Sequence, residues 1–471
     1  MSVLAIDQGT SGTKAVVVDT GGAVCAMAEV PLHPTYLPGG GVEQDPEALF
    51  DSVVTAGQRA LADAGMPVTA VGLANQGETV LAWDRGTGAP LTPAIVWQDR
   101  RAEALCAALT AHADDVAHRT GLVLDPYFSA PKMAWIRAHL TRAGVVTTTD
   151  SWLVHRLCGA FVTDVATASR SLLTGLDAPG WDDELVALFG LSGEALPEIV
   201  ACDQIVGTTD VFGPTLPVAG LIVDQQAALL AHDCIEPAAA KCTFGTGAFL
   251  LAQLGAAPVR STSGLTTSVA WRLREETAFC ADGQVYTAAS AVRWATDLGL
   301  VPAAAQLDEV AAPSSDGVVC VPALAGLAAP WWNAAATASF TGMTLASTRG
   351  HLVRALLEGI AAQVAALTEL VSADLGRPLT RLRVDGGLTR SAVLMQAQAD
   401  LAQLPVQVYP STHATALGAA ACARLAVDPG LAVGDAAVDR APRRTFEPQW
   451  PAERAAEFLA RWRHTVAETA R

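Results

Sequence analysis

The chain has 471 residues, which predicts two or three domains at roughly 100–200 residues per domain. Its 30 Lys and Arg residues against 47 Asp and Glu residues give a formal net charge of −17, so binding to nucleic acid or to an anionic membrane by charge is disfavoured. Hydrophobic residues make up 51% of the chain. Gly, Pro, Asp or Arg nevertheless interrupts every apolar stretch before about 18 residues accumulate, so no membrane-spanning helix is predicted.

Lysine and cysteine usage give two further indications. Lys14, Lys132 and Lys241 are the only lysines, so each of them merits inspection. The nine cysteines are an odd number without a Cys-x-x-Cys pair, which favours a reducing compartment over a disulfide framework or a zinc ribbon. The N-terminal segment reaches Asp7 before an apolar signal-peptide region could form. These features predict a soluble cytoplasmic protein.

Short apolar runs alternate with longer helical patterns along the chain, which is typical of an α/β architecture. The first predicted element, residues 3–19, is an apolar strand, a Gly/Thr turn and a second apolar strand. A Pro-rich connection at residues 213–217 suggests a boundary between domains at 1–220 and 221–471. Residues 240–254 then repeat the strand, turn and strand of the N-terminus. This repeat predicts two related halves that face each other.

Helices are predicted further along the second half. Residues 349–374 carry apolar residues at threes and fours, with Thr348 as the N-cap and Gly376 closing the helix. Residues 382–400 predict a strand, a Gly-Gly turn and a helix. The closing helix, 451–471, has interleaved Arg and Glu and is predicted to be a solvated cap.

The two hairpin tips have the composition of phosphate-binding loops. Glycine lets the backbone approach a ligand, and neighbouring Thr and Ser hydroxyls add donors to phosphate oxygens. The candidates are Gly9, Thr10 and Ser11 in the first tip and Thr246 and Gly247 in the second, with Lys14 as a point charge. A single tip of this kind is compatible with an ordinary hairpin turn. Because the pattern occurs twice, we favour phosphate binding.

Neither common nucleotide motif is present. Lys14 leads into the strand Ala15-Val16-Val17-Val18 rather than a helix, so the first tip is not a P-loop, and no G-x-G-x-x-G occurs. The turn at Gly386 and Gly387 could let a flat nucleobase approach the backbone, although a plain strand-to-helix turn has the same composition.

Eight segments, in order along the chain, resemble the FGGY carbohydrate kinases. They are Asp7-Gln8-Gly9-Thr10, Asn75-Gln76-Gly77-Glu78-Thr79, residues 94–101, residues 120–130, Asp224-Gln225-Gln226-Ala227-Ala228-Leu229, Gly245-Thr246-Gly247, Val384-Asp385-Gly386-Gly387 and residues 415–420. The resemblance implies two actin-like (ribonuclease H-like) domains with an active site in the cleft between them. It also implies that the cleft binds ATP, Mg²⁺ and a small polyol or sugar.

The resemblance assigns roles to two carboxylates. Asp224 matches the acidic residue that accepts the proton of the substrate hydroxyl, a role that can contribute roughly 10²–10⁴ in rate. Asp7 is expected on the Mg²⁺–phosphate side, and with Asp224 it would hold the metal, since two carboxylates would otherwise repel the phosphates. On sequence position alone, Asp224 could instead be a helix N-cap.

The polyol site implied by the resemblance is incomplete. The matching positions are Glu78, Trp97, Tyr127, Asp224, Gln225 and Phe249, which offer hydrogen-bonding groups and an aromatic wall. Gly77 departs from the pattern, because family members that phosphorylate glycerol have Arg there. Gly77 therefore predicts weaker glycerol binding and room for a longer substrate.

The residues expected to bind the nucleotide also match the family only in part. Thr10, Thr246 and Gly387 match the family. Lys14 keeps the positive charge of the family's Arg but lacks the guanidinium group, which can donate two parallel hydrogen bonds. Ala289, Arg293 and Ser391 stand where the family's glycerol-phosphorylating members have Gly, Gln and Asn near the base and ribose. ATP remains the expected donor.

The predicted function is transfer of the ATP γ-phosphate to a primary hydroxyl of a small polyol, with glycerol as the first choice. Erythritol, threitol, xylulose and ribulose stay open because of Gly77. The sequence is also compatible with an actin-like ATPase without a sugar substrate, and with a kinase that binds sugar without turnover. No nucleic-acid or membrane partner is expected, and a homodimer or a tetramer is left open.

Overall fold

The computed structural model describes residues 1–437 and 441–469. The strands are β1 (Val3–Gly9), β2 (Gly12–Val18), β3 (Val24–Pro31), β4 (Thr35–Leu37), β5 (Gly41–Gln44), β6 (Val71–Asn75), β7 (Val80–Trp83), β8 (Ala94–Ile95), β9 (Val145–Thr148), β10 (Val162–Asp164), β11 (Glu198–Val200), β12 (Gly207–Thr209), β13 (Leu216–Val223), β14 (Ala240–Phe244), β15 (Ala248–Gly255), β16 (Thr266–Leu273), β17 (Glu276–Val285), β18 (Val319–Val321), β19 (Ser339–Thr341), β20 (Leu382–Asp385), β21 (Val406–Val408) and β22 (Arg444–Phe446).

The helices are α1 (Pro46–Ala64), α2 (Glu103–Ala108), α3 (Ala113–Thr120), α4 (Ser129–His139), α5 (Thr149–Cys158), α6 (Val165–Ser169), α7 (Asp183–Leu188), α8 (Asp224–Ala231), α9 (Ala289–Asp297), α10 (Leu307–Val310), α11 (Arg349–Leu375), α12 (Ala392–Ala402), α13 (Ala414–Val427), α14 (Val433–Ala436) and α15 (Ala452–Thr469).

Each half of the chain is built on one large mixed sheet. The first sheet has the strand order β12-β13-β6-β1-β2-β3, and the second has β16-β17-β15-β14-β20-β21-β22. In both, an antiparallel hairpin (β1–β2, β14–β15) is extended by two parallel strands on its first-strand side (β6 and β13, β20 and β21). The cores β3-β2-β1-β6-β13 and β17-β15-β14-β20-β21 therefore share one topology. This confirms the repeat of hairpins and the two actin-like halves predicted from the sequence.

The first sheet is completed by β13, which ends at Val223. The boundary predicted after residue 220 falls inside this strand. Smaller sheets of the order β4-β5-β8-β7-β9, β10-β11 and β18-β19 are added around the two cores.

Small residues join the two halves. Helix α13 follows β21 of the second sheet but packs on β1, β6 and β13 of the first, and it contacts α8. A Cβ at Gly418 of α13 would lie 1.9 Å from the carbonyl oxygen of Ala227 in α8, and a Cβ at Gly72 of β6 would lie 2.5 Å from that of Ala419. Only glycine permits this approach, so the motif around residues 415–420 is explained by packing between the halves.

Helix α11 has the predicted start and end. Thr348 and His351 form a capping box at its N-terminus, and Gly376 closes it with φ +64°. By length and composition α11 could cross a membrane, contrary to the expectation that no stretch would qualify, but 83% of its apolar window is buried inside the protein.

The closing helix corrects a second expectation. Helix α15 is amphipathic rather than merely solvated, since it buries Phe458, Leu459, Trp462 and Val466. Residues 470 and 471 of the predicted helix lie outside the described residues. The interleaved Arg and Glu residues lie only on its solvent-exposed face.

Candidate active site

The predicted site residues follow the carboxyl ends of neighbouring strands. Asp7 lies near the end of β1, Glu78 follows β6, and Asp224 follows β13. In the second half, Thr246 follows β14 and Gly386 follows β20. Because β1, β6 and β13 are parallel, as are β14 and β20, their carboxyl ends share one edge in each sheet. The topology thereby collects residues that are up to about 380 positions apart in the sequence.

Three of the predicted aromatic residues form one wall. The ring centroid of Trp97 lies 5.6 Å from that of Tyr127 and 6.2 Å from that of Phe249, both edge to face. Trp97 and Tyr127 come from the first half of the chain, whereas Phe249 lies on β15 in the second half. Such a wall suits the C–H face of a polyhydroxylated ligand.

Glu78 belongs to a buried ion triad that the sequence did not predict. Arg170, which follows α6, donates through Nε to Glu78 Oε1 at 2.6 Å and through Nη1 to Asp282 Oδ2 at 2.7 Å. The three side chains are each 5% exposed. Glu78 also has a φ of +57°, which is uncommon for a residue other than glycine. Burial raises the pKa of the Glu78 carboxyl, while the Arg170 guanidinium opposes the shift.

Gly77 does not leave an open space, contrary to the expectation from the sequence. A Cβ at position 77 would lie 2.9 Å from Cγ2 of Val223, the last residue of β13. A side chain at this position would therefore meet Val223, which takes up part of the space beside Gly77. Gly77 alone does not establish room for a longer substrate.

Asp224 and Asp7 are two half-buried carboxylates close enough to repel each other. Burial, with repulsion from Glu78 and Asp7, raises the pKa of Asp224 to about 7. Burial also raises the pKa of Asp7 to about 6, although Lys14, its partner across the hairpin, opposes this. Asp224 is the first residue of α8 and accepts from the backbone N–H of Gln225 at 2.7 Å. Val223, not Asp224, is the N-cap, so the simple capping interpretation does not hold.

The first hairpin tip is connected to the aromatic wall. Trp97 Nε1 donates to Thr10 Oγ1 at 2.9 Å, and Gln44 Nε2 donates to the Thr10 carbonyl at 2.8 Å. Since an indole can only donate, the Thr10 hydroxyl proton is left for another acceptor. Ser11 is exposed beside it, while Gly9 and Gly12 pair to close the turn.

The second tip is fixed by the start of α9 and by the turn after β20. The carbonyl of Gly245 accepts from the N–H of Ala289 at 3.0 Å, and that of Thr246 accepts from the N–H of Ala288 at 2.9 Å. Gly386 has a φ of +93°, and a Cβ there would lie 2.3 Å from the Phe244 carbonyl oxygen. Glycine is therefore required where the turn touches the hairpin.

The remaining nucleotide candidates lie around this turn. A cavity of about 130 Å³ is lined by residues that include Asp308, Gly387 and Ser391, and a Cβ at Gly387 would meet no atom within 4 Å. The Ser391 hydroxyl donates to Asp308 Oδ1 at 2.5 Å and caps α12. Arg293 is exposed on α9, and the Cβ of a side chain at Gly247 would collide with the Val285 carbonyl oxygen.

Two buried lysines bond residues of the predicted site. Lys132 is 0% exposed and its Nζ donates to the carbonyls of Pro126, Tyr127 and Phe128 at 2.9, 2.5 and 2.6 Å. These three acceptors match the three N–H donors of an ammonium group. Lys241 is equally buried and donates to Gln225 Oε1. The scarcity of lysine was the one sequence signal that pointed to them, whereas nothing in the sequence distinguished Arg170 or Asp282.

Comparison with known proteins agrees with this geometry. The model of the FGGY family of carbohydrate kinases matches through its N-terminal domain at residues 2–231 and its C-terminal domain at residues 240–427. The glycerol kinase of Aromatoleum aromaticum is 42% identical over 484 residues, covering 98% of each chain.

Solved structures agree as well. The glycerol kinase of Plasmodium falciparum with ADP has a TM-score of 0.93 at 31% identity, covering 99% of this chain and 98% of that one. The xylulose kinase of Rhodospirillum rubrum has a TM-score of 0.88 at 27% identity, covering 99% of each. The chain belongs to the FGGY family of carbohydrate kinases. It is accordingly a phosphotransferase with an alcohol group as acceptor, and kinases of this family use ATP.

Replacing Lys132 tests the support of the Tyr127 segment. Lys132→Met should lower the free energy of unfolding by about 2–4 kcal/mol, because it leaves three buried carbonyls without a donor. Chemical denaturation measures the change. The half-buried Lys14 is the matched control, and Lys14→Met should cost less than about 1 kcal/mol. Equal effects of the two substitutions would contradict the bonding scheme.

The raised pKa of Asp224 makes this residue a pH-dependent cost to stability. The unfolded carboxyl ionises near its ordinary value and the folded one only near 7, so stability is lost as the pH rises between the two and the loss persists above 7. Asp224→Asn should therefore stabilise the unliganded protein by about 1–3 kcal/mol above pH 7 and by little near pH 4. Urea unfolding at several pH values measures this, and a difference independent of pH would refute it.

Proposed function

We propose that the protein transfers the γ-phosphoryl group of ATP to a primary hydroxyl of glycerol, which gives glycerol 3-phosphate. The observation that carries the proposal is the position of Asp224, whose carboxylate lies near those of Glu78 and Asp7 at the carboxyl ends of parallel strands. The 42% identity to a protein named glycerol kinase across 98% of both chains supports glycerol over longer polyols and ketoses.

The polyol is held by groups from both halves of the chain. Glu78 accepts a hydrogen bond from one hydroxyl, since Arg170 occupies its Oε1 and no described residue bonds Oε2. Trp97, Tyr127 and Phe249 cover the C–H face. Gln225 lies beside Asp224 and contributes its amide. Gly77 adds no donor, and Val223 makes that side of the pocket apolar.

Asp224 acts as the base for the attacking hydroxyl. A carboxylate whose pKa is raised to about 7 is a better proton acceptor than an ordinary aspartate and is still largely ionised at slightly alkaline pH. Most of the acceleration in phosphoryl transfer comes from positioning and charge stabilisation, so the base is one contribution among several.

The donor set fits a divalent cation as well as a nucleotide. Asp7 and Asp224 are oxygen ligands of the kind that Mg²⁺ prefers, and their mutual repulsion is relieved by a cation. Among the described residues no group of three or more His, Cys, Asp or Glu is arranged to hold a metal ion, so phosphate oxygens and water would complete the coordination. When bound, Mg²⁺ neutralises phosphate charge.

The phosphates of ATP are bound by the two tips. Gly9, Thr10, Ser11 and Lys14 serve one side, and Thr246 and Gly247 the other. Gly386, Gly387 and Ser391, with Ala289 and Arg293 on α9, surround the base and ribose. An actin-like ATPase without a sugar substrate would leave the convergence of Glu78, Trp97, Tyr127 and Gln225 without a purpose. We propose that the enzyme is cytoplasmic and forms a homodimer or a tetramer.

Replacing the base tests the assignment of Asp224. Asp224→Asn should lower kcat by about 10²–10⁴, because the amide cannot accept the hydroxyl proton. ADP binding, measured by calorimetry, should stay within about twofold of the wild type. Near-normal turnover in this variant would rule out Asp224 as the base.

A substrate panel tests glycerol and the apolar wall together. Among C3 to C6 polyols and ketoses, assayed by ADP release, glycerol should have the highest kcat/KM. Gly77→Arg alone should lose activity because its side chain meets Val223, whereas Gly77→Arg with Val223→Ala should lower KM for glycerol about tenfold by adding a charged donor. Val223→Ala alone is the control. A ketose with the highest kcat/KM in the wild type would overturn the proposed substrate.

A further inference from the structure

Lys241 connects the second sheet to the polyol site. It lies on β14, which leads to the second hairpin tip, and its side chain is 0% exposed. Its Nζ donates to Gln225 Oε1 at 2.6 Å and to Thr243 Oγ1 at 3.0 Å. Gln225 is the second residue of α8 and directly follows Asp224.

We propose that Lys241 is a positioning residue that fixes the amide of Gln225 so that its NH₂ group donates to an oxygen of the polyol. The proposal rests on the proposed function, since it places the polyol next to Gln225. It adds a residue that does not touch the substrate but determines whether a substrate-facing group is a donor or an acceptor.

The chemistry of the pair determines the orientation of the amide. An ammonium group has three donors and no acceptor, so the Gln225 atom that faces it must be the carbonyl oxygen. Rotating the amide by 180° would place an NH₂ group against the ammonium. Among the described residues, Gln225 Nε2 has no hydrogen-bond acceptor, and it is not enclosed as an orphaned buried atom. The two N–H donors are therefore free for a ligand in the cleft.

A structural role alone accounts poorly for a lysine at this position. Removing an ammonium group from water is costly, and an apolar side chain of similar length would fill the same space at lower cost. Asp224, Asp282 and Asp385 provide favourable charge around Lys241, but its short direct contact is to Gln225. Glu78 accepts from the polyol and Gln225 donates to it, so the two residues recognise different hydroxyls or different lone pairs.

A double-mutant cycle tests the proposal on the full-length protein, with glycerol and ADP as the probes. Lys241→Met and Gln225→Ala should each weaken glycerol binding about threefold to tenfold in calorimetry, and the double variant should be no weaker than Gln225→Ala by more than about twofold. ADP affinity should stay within about twofold throughout. In turnover, KM for glycerol should rise while KM for ATP and kcat change little, a split that loss of folding would not produce.

Thr243→Val is the matched control, because it removes the other partner of Lys241 and leaves Gln225 in place. Its glycerol affinity should stay within about twofold of the wild type. If Lys241→Met weakens glycerol binding as strongly with Ala at position 225 as with Gln, the positioning role is refuted. If Gln225→Ala leaves glycerol binding unchanged, the polyol contact of the proposed function fails instead. Should Lys241→Met not fold, Lys241→Arg, with a bulkier head on the same amide, should raise KM for glycerol alone, and an unchanged KM would refute the role.

Discussion

The concentration of carboxylates around Asp224 is the constraint on which the site depends. Glu78 and Asp282 are buried, Asp7 and Asp224 are half-buried, and an unpaired charge that is withdrawn from water is costly. The protein offsets these negative charges with few cations. Arg170 bonds two of the carboxylates, and burial together with repulsion from Glu78 and Asp7 raises the pKa of Asp224. The proposed base and the proposed cation-binding pair both depend on this arrangement of charge.

The duplicated topology explains why this arrangement of charge occurs at a single place. Each half brings the end of a hairpin and the ends of two parallel strands to one edge, and α13 and α8 join the two halves through contacts that only glycine allows. The residues proposed to bind phosphates lie on the two hairpin tips, and those proposed to contact the polyol come from both halves. The aromatic wall needs both halves, because Trp97 and Tyr127 come from the first half and Phe249 comes from the second.

Much of the fold could be predicted from the sequence, because it depends on residue patterns within short segments. The hairpin repeat, the long helix with its caps and the strand before Gly386 follow from residue patterns along a short segment, and each is confirmed. The ion triad could not be predicted, because Arg170, Glu78 and Asp282 meet only after the halves have packed. The surroundings of Gly77 could not be predicted either, because Val223, which approaches it, is 146 positions later in the chain and is brought close by the pairing of β6 with β13. The effect of a missing side chain on a pocket depends on the residues that surround it in the folded protein.

The placement of the lysines has a chemical consequence for the outside of the molecule. Lys132 and Lys241 are 0% exposed and Lys14 is half-buried. Positive charge on the exterior is therefore carried mainly by arginine, whose guanidinium stays protonated and is a poor nucleophile near neutral pH. Acylating reagents and amine-directed cross-linkers find only the α-amino group and the half-buried Lys14, so labelling of this protein would report on its N-terminal hairpin rather than on its surface as a whole.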